Sequence, residues 1–224
     1  FTEDYYDAET GGRPLNQHLT LGSEMDGLRN SLFRAELTVE NVRVGEAWLQ
    51  RFRPRVLLQA SPGRVLDQLS IDTNFGQEID FDNAREGDGI NLVASMTVRP
   101  NAHLELVGNA DLRTLNVDVP GGRSGRVFTA EVGRMRATWS FTSRAFVRLI
   151  GQYVETRSDT ALYTIPVLPR VAEFNSSALL AYKLSWQTLF YVGYGDTRTY
   201  FEPGDRLVPS RREVFAKVSY AWQM

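Results

Sequence analysis

The stretch GRVFTAEVGRMRATWSFTSRAFVRLIGQYVETR, residues 125–157, decides the fold. In its first half Val127, Thr129, Gly133, Met135, Ala137 and Trp139 share one parity, and Arg126, Phe128, Arg134, Arg136 and Thr138 the other. Beyond Thr142 and Ser143 the alternation restarts, with Ala145, Val147, Leu149, Gly151 and Tyr153 set against Arg144, Phe146, Arg148 and Gln152. Period two is the side-chain period of a β-strand, so each half reads as a strand with one apolar and one polar face. Both runs outlast the five or six residues usual in soluble strands and reach the roughly 9–11 residues that a tilted strand needs to cross hydrocarbon.

The same pattern extends in both directions. Leu69, Ile71, Thr73, Phe75, Ile79 and Phe81 oppose Gln68, Ser70, Asp72, Asn74, Glu78 and Asp80; further alternating runs cover 89–99, 103–117, 173–185, 188–200 and 211–224. Residues 32–41 and 48–60 read as strands too, although Pro54 has no N–H for a ladder and marks an edge or a bulge. Connections at 61–64, 100–102, 142–143 and 185–187 are short, whereas 83–88, 118–125, 158–172 and 201–210 are longer. This is the mark of an up-and-down meander with its tight turns at one end. Residues 1–30, polar and without a sustained period, read as a lead-in, loop or linker before a barrel spanning 31–224.

Composition narrows the function. Lys+Arg 25 against Asp+Glu 27 gives a net charge of −2, which does not suit a nucleic-acid partner. The absence of Cys excludes disulfides, thiolate nucleophiles and thiolate metal sites, and two His argue against an imidazole-rich metal centre. No cofactor is expected. The mean hydropathy of −0.29 looks soluble, but a transmembrane barrel conceals its lipid face in every second residue. The chain opens on Phe1 without an initiator Met or a signal peptide, which suggests a processed product or a piece of a longer protein.

A soluble barrel alternates as well, so charge and aromatic placement must choose between the two. Asp72, Glu78, Glu105, Asp111, Arg113, Arg134, Arg136, Arg148, Lys183 and Lys217 all fall on polar faces and are expected to line a lumen. A basic residue facing lipid at the midplane costs about 2–4 kcal/mol. The exceptions, Glu131, Glu155, Arg157 and Asp196, lie toward the long-loop end, where charge is tolerated. Trp139, Phe141, Tyr153, Tyr194, Tyr220 and Trp222 stand near the ends of apolar faces, as interfacial girdle residues do. The expected fold is all-β: an antiparallel up-and-down transmembrane β-barrel of about ten visible strands, or that part of a larger one.

The final run, Arg212 to Met224, resembles the last strand of an outer-membrane barrel, with Val218, Tyr220, Trp222 and Met224 on one face. That resemblance implies a signal read by the barrel-assembly machinery. Phe141 to Arg148 with Gln152 and Tyr153, and Leu189 to Asp196, resemble the C-terminal barrel of a family of uncharacterised bacterial proteins. There a module similar to family 9 carbohydrate-binding domains precedes the barrel. The resemblance covers about residues 64–224 and implies a longer protein with such a module ahead of the barrel. It brings no catalytic residue.

Candidate chemistry is sparse. Asp72, Asn74, Glu78, Asp80 and Asp82 look like a calcium loop, but along a strand residues i and i+2 stand about 6.6 Å apart, too far to converge on one ion. An acidic stripe facing water, paired across a lumen with Arg113, Arg134, Arg136 and Arg148, is the better reading. His18 and His103 lack the Ser or Asp partners of outer-membrane hydrolases. The 118–125 loop has phosphate-loop glycines without the Lys-Ser/Thr ending. The expectation is a non-enzymatic barrel in the bacterial outer membrane, contacting bilayer and lipopolysaccharide, that passes solutes or anchors a periplasmic or surface partner. Alternatives are a scaffold with partner subunits in a larger cell-envelope complex and, less favoured, an outer-membrane hydrolase.

Overall fold

A computed structural model describes residues 2–7, 13–119 and 121–221. The chain folds as β1 (Thr2–Asp7), β2 (Arg13–Gly27), β3 (Ser31–Val44), β4 (Ala47–Ala60), β5 (Leu66–Asp80) and β6 (Arg85–Val98), then β7 (Leu104–Val117), β8 (Gly125–Thr142), β9 (Ala145–Ser158), β10 (Arg170–Lys183), β11 (Thr188–Phe201) and β12 (Arg206–Tyr220). These form one 12-stranded sheet in sequence order. Every neighbouring pair is antiparallel. Among the described residues no ladder joins β1 to β12.

The reading of residues 1–30 as lead-in, loop or linker is corrected: β1 and β2 occupy most of that span. On β2, Leu15, Leu19, Leu21 and Met25 alternate with His18, Thr20, Glu24 and Asp26, but Gln17 and Ser23 interrupt the apolar side. Its register is held on β3, where Leu21 pairs Leu37 and Glu24 pairs Arg34.

Connection lengths are only partly asymmetric. The segments 118–124 and 159–169 share one end of the sheet and are its long connections, but the same end also carries 45–46 and 81–84. The 83–88 and 201–210 loops expected from sequence shrink because Arg85 to Asp88 pair with β5 and Arg206 to Pro209 pair with β11. Pro54 marks neither a sheet edge, since β4 lies between β3 and β5, nor a register shift among the described residues. It sits in the β3–β4 ladder opposite Leu37, while the β4–β5 ladder stops at the Arg55–Asn74 pair. There Gly76 takes a φ of +105°, and the Gln77 side chain accepts the Phe52 N–H at 2.7 Å.

Large apolar side chains populate the exposed face of nearly every strand, among them Met135, Leu149, Leu180 and Val218 at 46%, 51%, 44% and 64% exposure. A buried hydrophobic cluster lies at the long-loop end, where Leu115, Val117 and Val127 meet Leu162. A bulge between Leu115 and Asn116 precedes this cluster and shifts the β7–β8 register.

Candidate functional site

The chemistry of the molecule lies on its polar face, and the register divides that face into two regions. Over β3–β5 acids and arginines alternate across strands. Glu40 stands opposite Arg51, and Glu36 opposite Arg55. Arg51 donates from Nε to Glu40 at 2.7 Å and from Nη1 to Glu78. Asn16 on β2 completes Glu40 with a bond of 2.6 Å. Arg55 holds Asp72 in a two-bond fork, 2.8 and 2.6 Å, and reaches Glu36 at 3.0 Å. Forked guanidinium–carboxylate bonds are strong and fix both side chains. The Arg51, Glu40 and Glu78 side chains are only 11%, 10% and 12% exposed, so this wall is packed as well as charged.

Asp72 and Glu78 were expected to face a lumen and to pair with the distant basic faces of β7–β9. They lie on the polar face but pair with their own neighbours on β4, which corrects the partner assignment. Neighbouring strands at about 4.8 Å bring long side chains together at once. Asp80 is likewise taken, by Arg85 at 2.7 Å and Asn83 at 2.8 Å. Asp72, Glu78 and Asp80 of the supposed calcium stripe are therefore committed to guanidinium and amide donors. Among the described residues no group of His, Cys, Asp or Glu is arranged to hold a metal ion.

Over β7–β9 the balance changes. Arg134 on β8 faces Asn109 and Gln152, and Arg136, two residues on, faces Val107 and Ile150. Arg148 on β9 pairs Thr138 and so lies diagonal to Arg136. Arg136 reaches Glu105 at 3.4 Å, but Arg99 also holds that carboxylate, at 3.1 Å. Arg148 lies over the Phe146 ring at 5.2 Å and Arg113 over Phe128 at 5.6 Å. The Nε atoms of Arg136 and Arg148 are shielded and without a hydrogen-bond partner. Toward the tight-turn end, a hollow of about 520 Å³ is lined by Ser140, Arg144, Phe146, Ala181, Lys183 and Leu189. Asp111 and Lys217 complete the expected polar-face set, Lys217 opposite Tyr191.

Sequence reasoning missed the strap across this face. The 159–169 loop carries a turn of 3₁₀ helix at Thr160–Leu162, capped by Asp159 Oδ1 accepting the Ala161 N–H. Leu162 packs against Leu115 and Val117, whose parity is that of Arg113. Arg85 donates to the Leu162 carbonyl at 2.6 Å while gripping Asp80. The loop is thereby pinned over the polar side at the long-loop end. Leu162 stands among Tyr163, Ile165, Val167 and Leu168 in this loop, and nothing in the local sequence singled it out.

On the other face Trp139, Phe141, Tyr194 and Tyr220 are exposed by 41%, 54%, 42% and 57%, and Tyr153 is half-buried. Val218 is exposed as well; Trp222 and Met224 of the expected girdle and terminal signal lie outside the described residues. A shallow groove of about 520 Å³ crosses the middle of this face, floored by Ala94, Gly108, Ala110, Gly133 and Gly151. Toward the long-loop end Glu155, Arg157 and Asp196, three of the charges that break the apolar pattern, are held in ion pairs, whereas Glu131 stands opposite Glu155. Glu155 accepts from Arg170 at 2.5 Å and Arg157 at 3.0 Å, and Asp196 from Arg198 at 2.7 Å and Arg212 at 2.9 Å. His103 stacks on Trp139 with its Nδ1 2.7 Å from the Ser140 carbonyl oxygen, an arrangement that fixes a turn. Comparison of the chain with protein-family models, curated proteins and solved structures returned no match.

Proposed function

We propose that this chain is the transmembrane β-barrel, or part of the barrel, of a bacterial outer-membrane protein, and that it acts without catalysis as a passage for small solutes. The observation that carries the reading is sidedness: large apolar side chains are exposed on one face, while charged pairs are packed on the other. Leaving one such side chain in water forgoes about 1.5–3 kcal/mol of burial, so a whole face of them calls for hydrocarbon. The bilayer and its lipopolysaccharide leaflet are the partners such a face fits, and the assembly machinery is the route by which a barrel reaches them.

The dimensions agree. A 14-residue strand such as β9 rises about 46 Å along its axis and, tilted near 40°, spans about 35 Å. That exceeds an apolar band of about 25 Å, with Glu155 and Asp196 in the halves of their strands nearer the long loops. Closure of twelve strands at that tilt gives a backbone diameter of about 24 Å. Long side chains from both walls narrow this to a bore for small solutes. The edges of β1 and β12 would pair with each other or with further strands, as unpaired edges in lipid are not tolerated.

The strap formed by 159–169 favours a second reading, a barrel closed at one mouth that anchors a partner. Reconstitution of the chain into planar bilayers separates the two. Discrete conductance steps are expected. Silence from protein that co-floats with liposomes would refute the passage and leave the anchor.

A further inference from the structure

We infer that the basic wall of β8 and β9 makes the passage selective for small anionic solutes, such as inorganic anions and short carboxylates or phosphates. The inference deepens the passage reading and rests on it. It follows from the unequal charge of the two polar regions. Over β2–β5 the charges are tied up in place, five carboxylates to three guanidiniums: Glu24 with Arg34, Glu36 and Asp72 with Arg55, Glu40 and Glu78 with Arg51. No guanidinium of these pairs is left free for an anion.

Arg134, Arg136 and Arg148 are different. They occupy adjacent or diagonal positions, where like charges repel, between the centre of β8 and its tight-turn end. Glu105 answers Arg136 at 3.4 Å while shared with Arg99. Asp111 stands two residues from the cross-strand partner of Arg134, and among the described residues no ion pair joins them. Arg134 has no salt bridge among the described residues, and the Arg136 and Arg148 Nε donors are unmet.

A guanidinium keeps its charge at any relevant pH and offers five donors in a plane that suits carboxylate and phosphate. Low-dielectric walls focus such a field into a bore, and rings of Arg or Lys are a general means of favouring anions. The hollow lined by Arg144 and Lys183 continues the trail to the tight-turn end, sharing Phe146 with Arg148. An anion thus meets basic side chains from that mouth to mid-height.

The test is the reversal potential across a bilayer holding the reconstituted chain in a KCl gradient. Chloride should permeate severalfold better than potassium. The triple variant Arg134→Gln/Arg136→Gln/Arg148→Gln should bring the ratio to about one or below, while the Arg→Lys triple keeps the preference. The β-sheet circular dichroism of each variant verifies folding. A conducting wild type without anion preference, or a Gln variant with an unchanged ratio, would overturn this inference and leave the passage intact. Absence of conductance from inserted protein would overturn the passage itself, and the selectivity with it.

Discussion

Replacing Arg51 with Met should be among the most damaging single changes to the polar face. Arg51 is the shared cation of Glu40 and Glu78, and all three side chains are at most 12% exposed. Without it Glu40 retains Asn16 at 2.6 Å and Arg53 at 4.0 Å, while Glu78 retains the N–H of Ile79 at 3.1 Å. Removing one member of a buried ion pair leaves an uncompensated charge and costs about 3–5 kcal/mol. A control is available in Arg211, whose pair with Glu213 is 74% and 52% exposed and so contributes under about 1 kcal/mol. Denaturant unfolding in matched detergent, compared at constant slope, measures both. Neutralising the acids as well, in Arg51→Met/Glu40→Gln/Glu78→Gln, should recover most of the loss, because the desolvated charges disappear together. An Arg51→Met loss no larger than that of Arg211→Met would refute the reasoning, since it would mean that this lattice is bathed in water.

Three further outcomes follow from particular contacts. Gly76→Ala should destabilise by about 1–3 kcal/mol in the same unfolding assay, because φ is +105° and a Cβ would stand 3.0 Å from the Phe52 carbonyl oxygen. Gly193→Val should cost about 1–3 kcal/mol by displacing the Phe215 ring, which covers the site a Cβ would occupy; with Phe215→Ala the double change should cost less than the sum of the singles. Arg85→Ala should release the 159–169 strap, seen as severalfold faster chymotrypsin cleavage at Tyr163, and an unchanged rate would show that Leu162 alone holds it.

Most of the fold was legible because period two survives wherever one face avoids the other's chemistry. From Leu66 onward apolar and polar residues separate so cleanly that strand positions and the sidedness of Arg134, Arg136 and Arg148 follow from parity. β2 escaped because Gln17 and Ser23 break its apolar side, although Leu19, Thr20 and Leu21 carried the signal. The β12 start escaped because Pro209 reads as loop; it is tolerated beside the bulge at Thr197/Arg198, on a strand that among the described residues pairs only with β11. Ion-pair partners could not be read at all. Parity places Asp72 on the face of Arg134, but register decides that Arg55 is within reach first.

The medium that each face meets is read most directly with single nitroxide labels, which a chain without Cys allows to be placed at will. Labels at Leu149→Cys and Ala178→Cys on the apolar parity, and at Gln152→Cys and Ser177→Cys on the polar parity, should be compared in liposomes by power saturation. The first pair should collide with dissolved oxygen and the second with a water-soluble nickel chelate, alternating along β9 and β10. Equal nickel access at both parities, or oxygen access at the polar one, would contradict the assignment of the apolar face to hydrocarbon.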